Sequence, residues 1–235
     1  MSPRELPFVR QMFDDIAPKY DFLNRVLSLR RDVAWRREAV SRLPEAPELP
    51  ILDSACGTAD VAMEAALARP GSFVVGLDFS SRMLALAEKK IRRAGLAQRI
   101  SLVHGDALAT PFPDGAFSAA TMAFGFRNVM DKPALLEEFH RVLAPGGRLL
   151  ILELTTPSLE PLRTLYRGYF EKVLPAVGRQ VSRHGSAYAY LPDSVARFPD
   201  NPLVAAMIRG AGFMALEVKP LSLGICTLFD AMKPV

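Results

Sequence analysis

Three short segments of this 235-residue chain carry carboxylates: DSACGTAD at 53–60, GLD at 76–78 and HGDA at 104–107. Each follows an apolar run with strand character, and in an open α/β sheet the residues just past the carboxyl ends of the strands are the ones that meet ligand. Asp78 lies 21 residues after Gly57, the spacing at which a carboxylate closing a second strand reaches a ribose held beside the glycine turn of the first. A cofactor containing a nucleoside is expected. A dinucleotide turn wants GxGxxG with a pyrophosphate on the helix N-terminus, whereas the string from Gly57 reads Gly-Thr-Ala-Asp-Val-Ala. Asp53 and Asp60 flank that turn and would repel a pyrophosphate. S-adenosyl-L-methionine carries a sulfonium and an ammonium and no phosphate, so the same carboxylates favour it. Asp78 then takes the ribose diol and Asp106 accepts the adenine amino group. Any one of these residues alone could merely cap the next helix; three in register is the stronger pattern.

Other reactive side chains carry less. Cys56 reads as a small residue in a tight turn, with no His or Lys near it in sequence to activate it. His104 and His140 read as structural residues of a strand and a helix. Two cysteines 170 residues apart and three scattered histidines give no metal spacing, so no metal is expected.

The elements that must position these groups alternate along the chain. PILDSA, SFVVGLDF, ISLVHGD, FSAATMAF and RLLILEL read as strands, interleaved with an Ala-rich helix from Asp60, a helix from Ser80 and a helix opened by Asp131 and Pro133. The last places Leu135, Leu136, Phe139, Val142 and Leu143 on one stripe, with Pro145-Gly146-Gly147 expected to stop it. Apolar strands with little alternation imply a parallel sheet covered on both faces. A helix from Pro202 to Ala211 precedes FMALEVKPLS and ICTLFDAMK, an antiparallel pair. The expected fold is α/β: a doubly wound, mostly parallel, seven-stranded sheet with an antiparallel C-terminal edge. One domain spans 1–235, with an N-terminal helical cap (1–47), a cofactor-binding core (50–156), a helical insertion or lid (157–198) and a C-terminal helix and strands (199–235).

Half the residues are hydrophobic and 23% charged, which suits a globular chain rather than a disordered one. No run approaches a membrane span and the N-terminus lacks a secretory pattern, so a cytoplasmic location is expected. The net charge of +4 is unevenly spread. Residues 25–42 hold six Arg against Asp32 and Glu38, and residues 162–185 hold five Lys/Arg against Glu171; the remainder is net negative. Such segments serve as solvated helix faces, as phosphate-binding patches or as contacts for an anionic membrane surface. A nucleic-acid-binding module is the reading from another class, but aromatic-rich strands and RNA-binding signatures are absent, and no nucleic-acid partner is expected. Residues 162–185 mix the basic side chains with Leu162, Leu165, Tyr166, Tyr169, Phe170, Val173 and Leu174, the composition of an interfacial helix or of a packed lid.

At these motifs the chain resembles the class I, Rossmann-like S-adenosylmethionine-dependent methyltransferases, and within them the ubiquinone/menaquinone biosynthesis C-methyltransferase family. The resemblance covers almost the whole chain: FDDIAPKYDFLNRVLS with Trp35-Arg36-Arg37, DSACGTAD, FGFRNV (124–129), RVLAPGG (141–147) and YAYLPDSVARFP (188–199). It implies cofactor contacts at Thr58, Asp78, Asp106 and Ala107, beside Asp53 and Gly57. It also implies methyl transfer to a ring carbon of a polyprenyl hydroquinone, demethylmenaquinol to menaquinol or the equivalent step toward ubiquinone, with a transient membrane surface as partner and peripheral attachment at the inner membrane face. A methyltransferase acting on a soluble small molecule is the runner-up. Arg127 and Asn128 are placed to hold a ring oxygen; Tyr20 and Asp21, or Tyr188 and Tyr190, could close over it, and no single residue stands out as general base. The chain departs from the family pattern at Ala123 (usually Ser), Ala59 and Arg30 (usually Gly) and Phe229-Asp230 (commonly His-Arg). The resemblance leaves oligomeric state open.

Overall fold

Runs that carry apolar residues at successive positions become strands buried on both faces. In the computed structural model, which describes residues 7–17, 20–45, 48–157, 159–168 and 186–235, these are β1 (Ile51–Ser54), β2 (Val74–Asp78), β4 (Phe117–Ala123) and β5 (Leu143–Leu154), with the half-buried β3 (Ile100–His104) at the sheet's edge. These five pair in parallel, and two later strands, β6 (Met214–Leu221) and β7 (Cys226–Met232), add an antiparallel edge. The sheet order is β3-β2-β1-β4-β5-β7-β6. Neighbouring residues divide between two cores, because successive side chains point to opposite faces. Leu52, Ala120, Leu149 and Phe229 face one cluster; Ile51, Ala119, Leu150 and Leu228 face the other.

Helices cover both faces. Ahead of β1 come α1 (Pro7–Ile16), α2 (Tyr20–Leu27) and α3 (Arg31–Ser41); between the strands run α4 (Asp60–Ala68), α5 (Ser81–Arg93) and α6 (Lys132–Val142). Beyond β5 lie α7 (Leu162–Gly168), α8 (Ser186–Ala196) and α9 (Asn201–Gly210). Leu135, Leu136, Phe139 and Val142 of α6 and Val204 and Ile208 of α9 fill the first cluster. Trp35, Ala39 and Val40 of α3, Ala62, Ala65 and Ala66 of α4, and Ala87 and Ile91 of α5 fill the second. Phe139 has no exposed surface, so Phe139→Ala would cost about 3–5 kcal/mol.

Caps fall where the sequence places them. Asp131 accepts from Ala134 N at the start of α6, and Ser80 Oγ accepts from Met83 N at the start of α5. One expectation is corrected. Pro145-Gly146-Gly147 does not stop α6, which ends at Val142 with Leu143 already extended; it lies inside β5, where the register against β4 shifts. The shift explains the glycine, since a Cβ on Gly147 would stand 2.7 Å from Ala144 O. Much of the stretch expected as an interfacial helix, 169–185, and the Tyr188 side chain lie outside the described residues. In the part that is described, Arg163 pairs with Glu160 and Tyr166 is buried.

Candidate functional site

β1 has β2 on one side and β4 on the other, so the strand order reverses there and the carboxyl ends of β1 and β4 leave a crevice between them. The turn leaving β1 winds through left-handed conformations at Ala55, Gly57 and Ala59 (φ 52°, 54° and 65°) before α4 begins. Two carboxylates hold it. Asp78, at the end of β2, accepts from Gly57 N at 2.7 Å with one oxygen and from Ser80 N at 2.8 Å with the other. Burial pushes its pKa up, against the two N–H groups that pull it down. Asp53, at the end of β1, accepts from Ala62 N at 3.0 Å and from Thr121 Oγ1 at 2.9 Å. Burial outweighs both bonds and raises it to about 7.

A cleft opens over this turn. It is lined by Gly57, Asp78, Ala107, Tyr20 and Asn128 among the expected site residues, and by Phe13, Met83, Met122 and Phe124. A smaller recess shares the Tyr20, Ala55, Gly57, Ala123 and Phe124 walls and is bounded by Asp53, Thr58, Cys56 and Asp60. Asp106 sits exposed beside Ala107 and caps its own turn, accepting from Leu108 N at 2.8 Å. Among the described residues, no group of three His, Cys, Asp or Glu could hold a metal, and no helix is long and apolar enough to cross a membrane.

This geometry fits a sulfonium nucleoside. The Asp78 oxygens each accept one backbone N–H, which leaves acceptor capacity for two ribose hydroxyls. Gly125, on the opposite wall, lets the backbone close in: a Cβ there would meet Ala55 Cβ at 2.9 Å. The Cys56 thiol is buried and pushed well above its ordinary pKa by that burial and then by Asp78 and Asp53, so it is no nucleophile.

Arg127 is held behind the cleft rather than in its lining. Its guanidinium donates to Glu153 Oε1 at 2.7 Å and Phe124 O at 2.6 Å, while its backbone N–H donates to the second Glu153 oxygen at 2.9 Å. Burial disfavours its charge, but Glu153, with Tyr20 and Tyr190, outweighs that, and the pKa rises. Its Nε is buried without a partner. Tyr190 donates to Asn128 Oδ1 at 2.9 Å, which brings α8 onto the turn after β4. Burial raises the pKa of both Tyr20 and Tyr190, so each is a neutral phenol able to donate.

Asp21 does not line the cleft directly. Its carboxylate accepts from Thr58 Oγ1 and, at 2.7 Å, from Lys90 Nζ, which also bonds Thr58 Oγ1 and Asp60. Asp60 in turn meets Arg36 at 3.1 Å, and Arg36 bonds Asp32. Burial raises Asp60, but Arg36 and Lys90 outweigh it and hold the carboxyl low. Lys90 and Glu153 are thus site-supporting residues that the sequence reading did not single out, and Arg36, named there only within a family segment, is a third. Glu153 had a signal, a lone acid in an apolar strand; Lys90 had none, sitting in the basic run KKIRR of an amphipathic helix.

Known proteins resemble this chain in sequence and in fold. The profile of the ubiE/COQ5 methyltransferase family matches residues 2–233. A ubiquinone/menaquinone biosynthesis C-methyltransferase UbiE of Geotalea daltonii is 46% identical over 96% of both chains. A demethylmenaquinone methyltransferase of Thermus thermophilus is 46% identical over 95% of this chain and 100% of its own length. One from Bacteroides fragilis is 40% identical over 96% and 92%. Among solved structures, the [4+2]-cyclase SpnF superposes with TM-score 0.72 at 18% identity, covering 97% and 95% of the two chains. A SAM-dependent methyltransferase from Aquifex aeolicus does so with TM-score 0.62 at 17% identity, covering 84% and 88%. At such identities these two show the fold alone.

Proposed function

This chain belongs to the ubiE/COQ5 methyltransferase family, and on that premise we propose that it methylates a ring carbon of a polyprenyl hydroquinone, taking demethylmenaquinol to menaquinol or performing the equivalent step toward ubiquinone. The observation that carries the reading is near-complete coverage by relatives bearing those names, joined to a cleft in which Asp78 is fixed by Gly57 and Ser80. S-adenosyl-L-methionine would supply an already activated methyl group. Asp78 is assigned its ribose diol, Asp106 and Ala107 its adenine end, and Asp53, Gly57 and Thr58 its methionine end.

The protein's share is alignment and exclusion of water. Phe13, Tyr20, Met122 and Phe124 give the cleft an apolar wall against which a flat ring can lie. Asn128, oriented by Tyr190, is assigned a ring oxygen. Tyr20 donates as a neutral phenol, and Arg127, its charge paired with Glu153 behind the wall, fixes the turn that carries Asn128. Asp21 acts through Thr58 and Lys90, holding α2 on the turn. The helices of the 1–47 segment are read as a cap and those of 157–198 as a lid, with the enzyme working at the cytoplasmic face of the membrane.

Mass spectrometry of quinones from a strain lacking the protein tests the reading. The accumulating quinone should be lighter by one CH₂, and the purified protein should restore the missing methyl from labelled cofactor. A normal quinone pool in the deletion strain refutes it.

A further inference from the structure

α2 has two faces with different tasks. Tyr20 lines the cleft and Asp21 is bonded to Thr58 and Lys90. On the other face Phe22, Val26 and Leu29, spaced i, i+4 and i+7, stand 58%, 39% and 81% exposed. Leu29 and the following Arg30 hold left-handed backbone (φ 51° and 63°), a conformation that bulky side chains rarely adopt, and the tip they form presents Leu29 to solvent.

Charge is sorted across α2 and the turn into α3. The acids turn inward: Asp21 as above, and Asp32 onto Arg36 and Ser28 Oγ. Arg25, Arg30 and Arg31 are exposed, and among the described residues none is within ion-pair distance of an acid, although Arg25 lies near enough to Asp60 to help hold its carboxyl low. An apolar stripe edged by unpaired arginines is the pattern of an interfacial helix. Three such side chains expose on the order of a few hundred Å², short of the roughly 800 Å² per partner that a stable protein interface buries.

We propose that this face of α2 and the α2–α3 turn docks on an anionic lipid surface, so that the helix whose inner face carries Tyr20 lies between cleft and bilayer. Its purpose rests on the polyprenyl-quinol reading, since such a substrate stays in lipid; its test does not. The apolar side chains enter the acyl boundary and the arginines meet anionic headgroups.

Co-sedimentation with vesicles of mixed phosphatidylglycerol and phosphatidylcholine is compared with phosphatidylcholine alone. The wild type should bind the anionic vesicles at low salt and release as salt shortens the Debye length. Partitioning should fall at least about tenfold in Phe22→Gln/Val26→Gln/Leu29→Asn, and likewise in Arg25→Gln/Arg31→Gln. Gln keeps helix propensity and Asn tolerates the left-handed turn. Unchanged calorimetric affinity for S-adenosyl-L-methionine verifies that both variants are folded. Wild-type partitioning in the apolar variant, equal recovery on neutral vesicles, or self-association that the apolar variant abolishes without any vesicle binding overturns the proposal. Turnover on a demethylated quinol with a short, water-soluble tail reads the reaction separately, so failure there counts against the methylation and not against the docking face.

Discussion

Asp53 is a buried carboxylate with two hydrogen bonds and a pKa near 7, against 3.8 for an ordinary Asp. The folded state therefore keeps a proton that the unfolded chain has released, and stability falls as pH rises from about 4 to 7. At about 1.4 kcal/mol per unit, the loss is on the order of 4 kcal/mol by pH 8. An asparagine at this position can satisfy the same partners, accepting from Ala62 N and donating to Thr121 Oγ1, whose hydroxyl can turn to Leu52 O at 3.3 Å. Asp53→Asn should thus flatten the pH dependence and raise stability at pH 8, measured by urea denaturation across pH; a wild-type-like slope would show that Asp53 ionises normally. Arg127 raises a different question, because its pair with fully buried Glu153 makes truncation costly whatever its role in turnover. Arg127→Ala should destabilise by about 3–5 kcal/mol. Arg127→Met with Glu153→Gln removes the orphaned charge and keeps an acceptor for the local backbone N–H groups, so stability should largely return. Turnover that stays low in this double variant, with cofactor affinity intact, assigns Arg127 an effect on the substrate; recovered turnover reduces it to a structural pair.

At the scale of elements, the turns show why two departures from the family pattern are unequal. Ala59 and Arg30, both at positions where the family usually has Gly, both adopt positive φ. A left-handed conformation costs a non-glycine residue roughly 1–2 kcal/mol. Ala59 is fully buried in the second core, so its methyl recovers about 0.8 kcal/mol of that. Arg30 is exposed and recovers nothing comparable. Arg30→Gly should therefore stabilise by about 0.5–1 kcal/mol once the added freedom of the unfolded glycine is subtracted, and a lower melting temperature would contradict the strain argument. The Lys90 cluster joins α2, α4 and α5, with Arg36 extending it to α3. Lys90 is about a quarter exposed, between the surface and buried regimes, so Lys90→Met should cost about 1–3 kcal/mol. Amides of α2 should exchange faster and the cofactor dissociate several-fold sooner; unchanged α2 protection would deny the cluster its hold on the cap. None of this was legible from sequence. The partners of Lys90 lie 69, 32 and 30 residues away, and KKIRR reads as a solvated face until the fold brings those helices together.

For the whole molecule, the legible part was what local pattern and topology rules dictate together. Unalternating strands forced a sheet with two covered faces, and once the sheet was doubly wound, Asp53, Asp78 and Asp106 had to lie near one crevice. What resisted reading came from long-range pairing. Asp230 is an example: a departure from the family pattern in the sequence, it proves to be a buried carboxylate gripping Arg148 with both oxygens at 2.7 and 2.8 Å, across the β5–β7 pairing. The bulge that claims Pro145-Gly146-Gly147 is another, since Gly146 N bonds Lys233 O, a partner at the far end of the chain. Because both cores share one sheet, the described elements should unfold together, and a ligand bound at the crevice should stabilise all of them at once. At a hundredfold excess over its Kd, S-adenosyl-L-methionine should add about 2.7 kcal/mol, which for a chain of this size is roughly 5–10 °C in Tm. Asp78→Ala removes a carboxylate expected to give two charge-assisted hydrogen bonds of about 1.5–3 kcal/mol each, so the shift should vanish at the same ligand concentration. The variant also frees Gly57 N and Ser80 N, lowering the ligand-free Tm, and the decisive quantity is therefore the ligand-induced increment and not Tm itself. A full increment in Asp78→Ala, or an equal one from NADH, would remove the ribose assignment and with it the central cofactor contact.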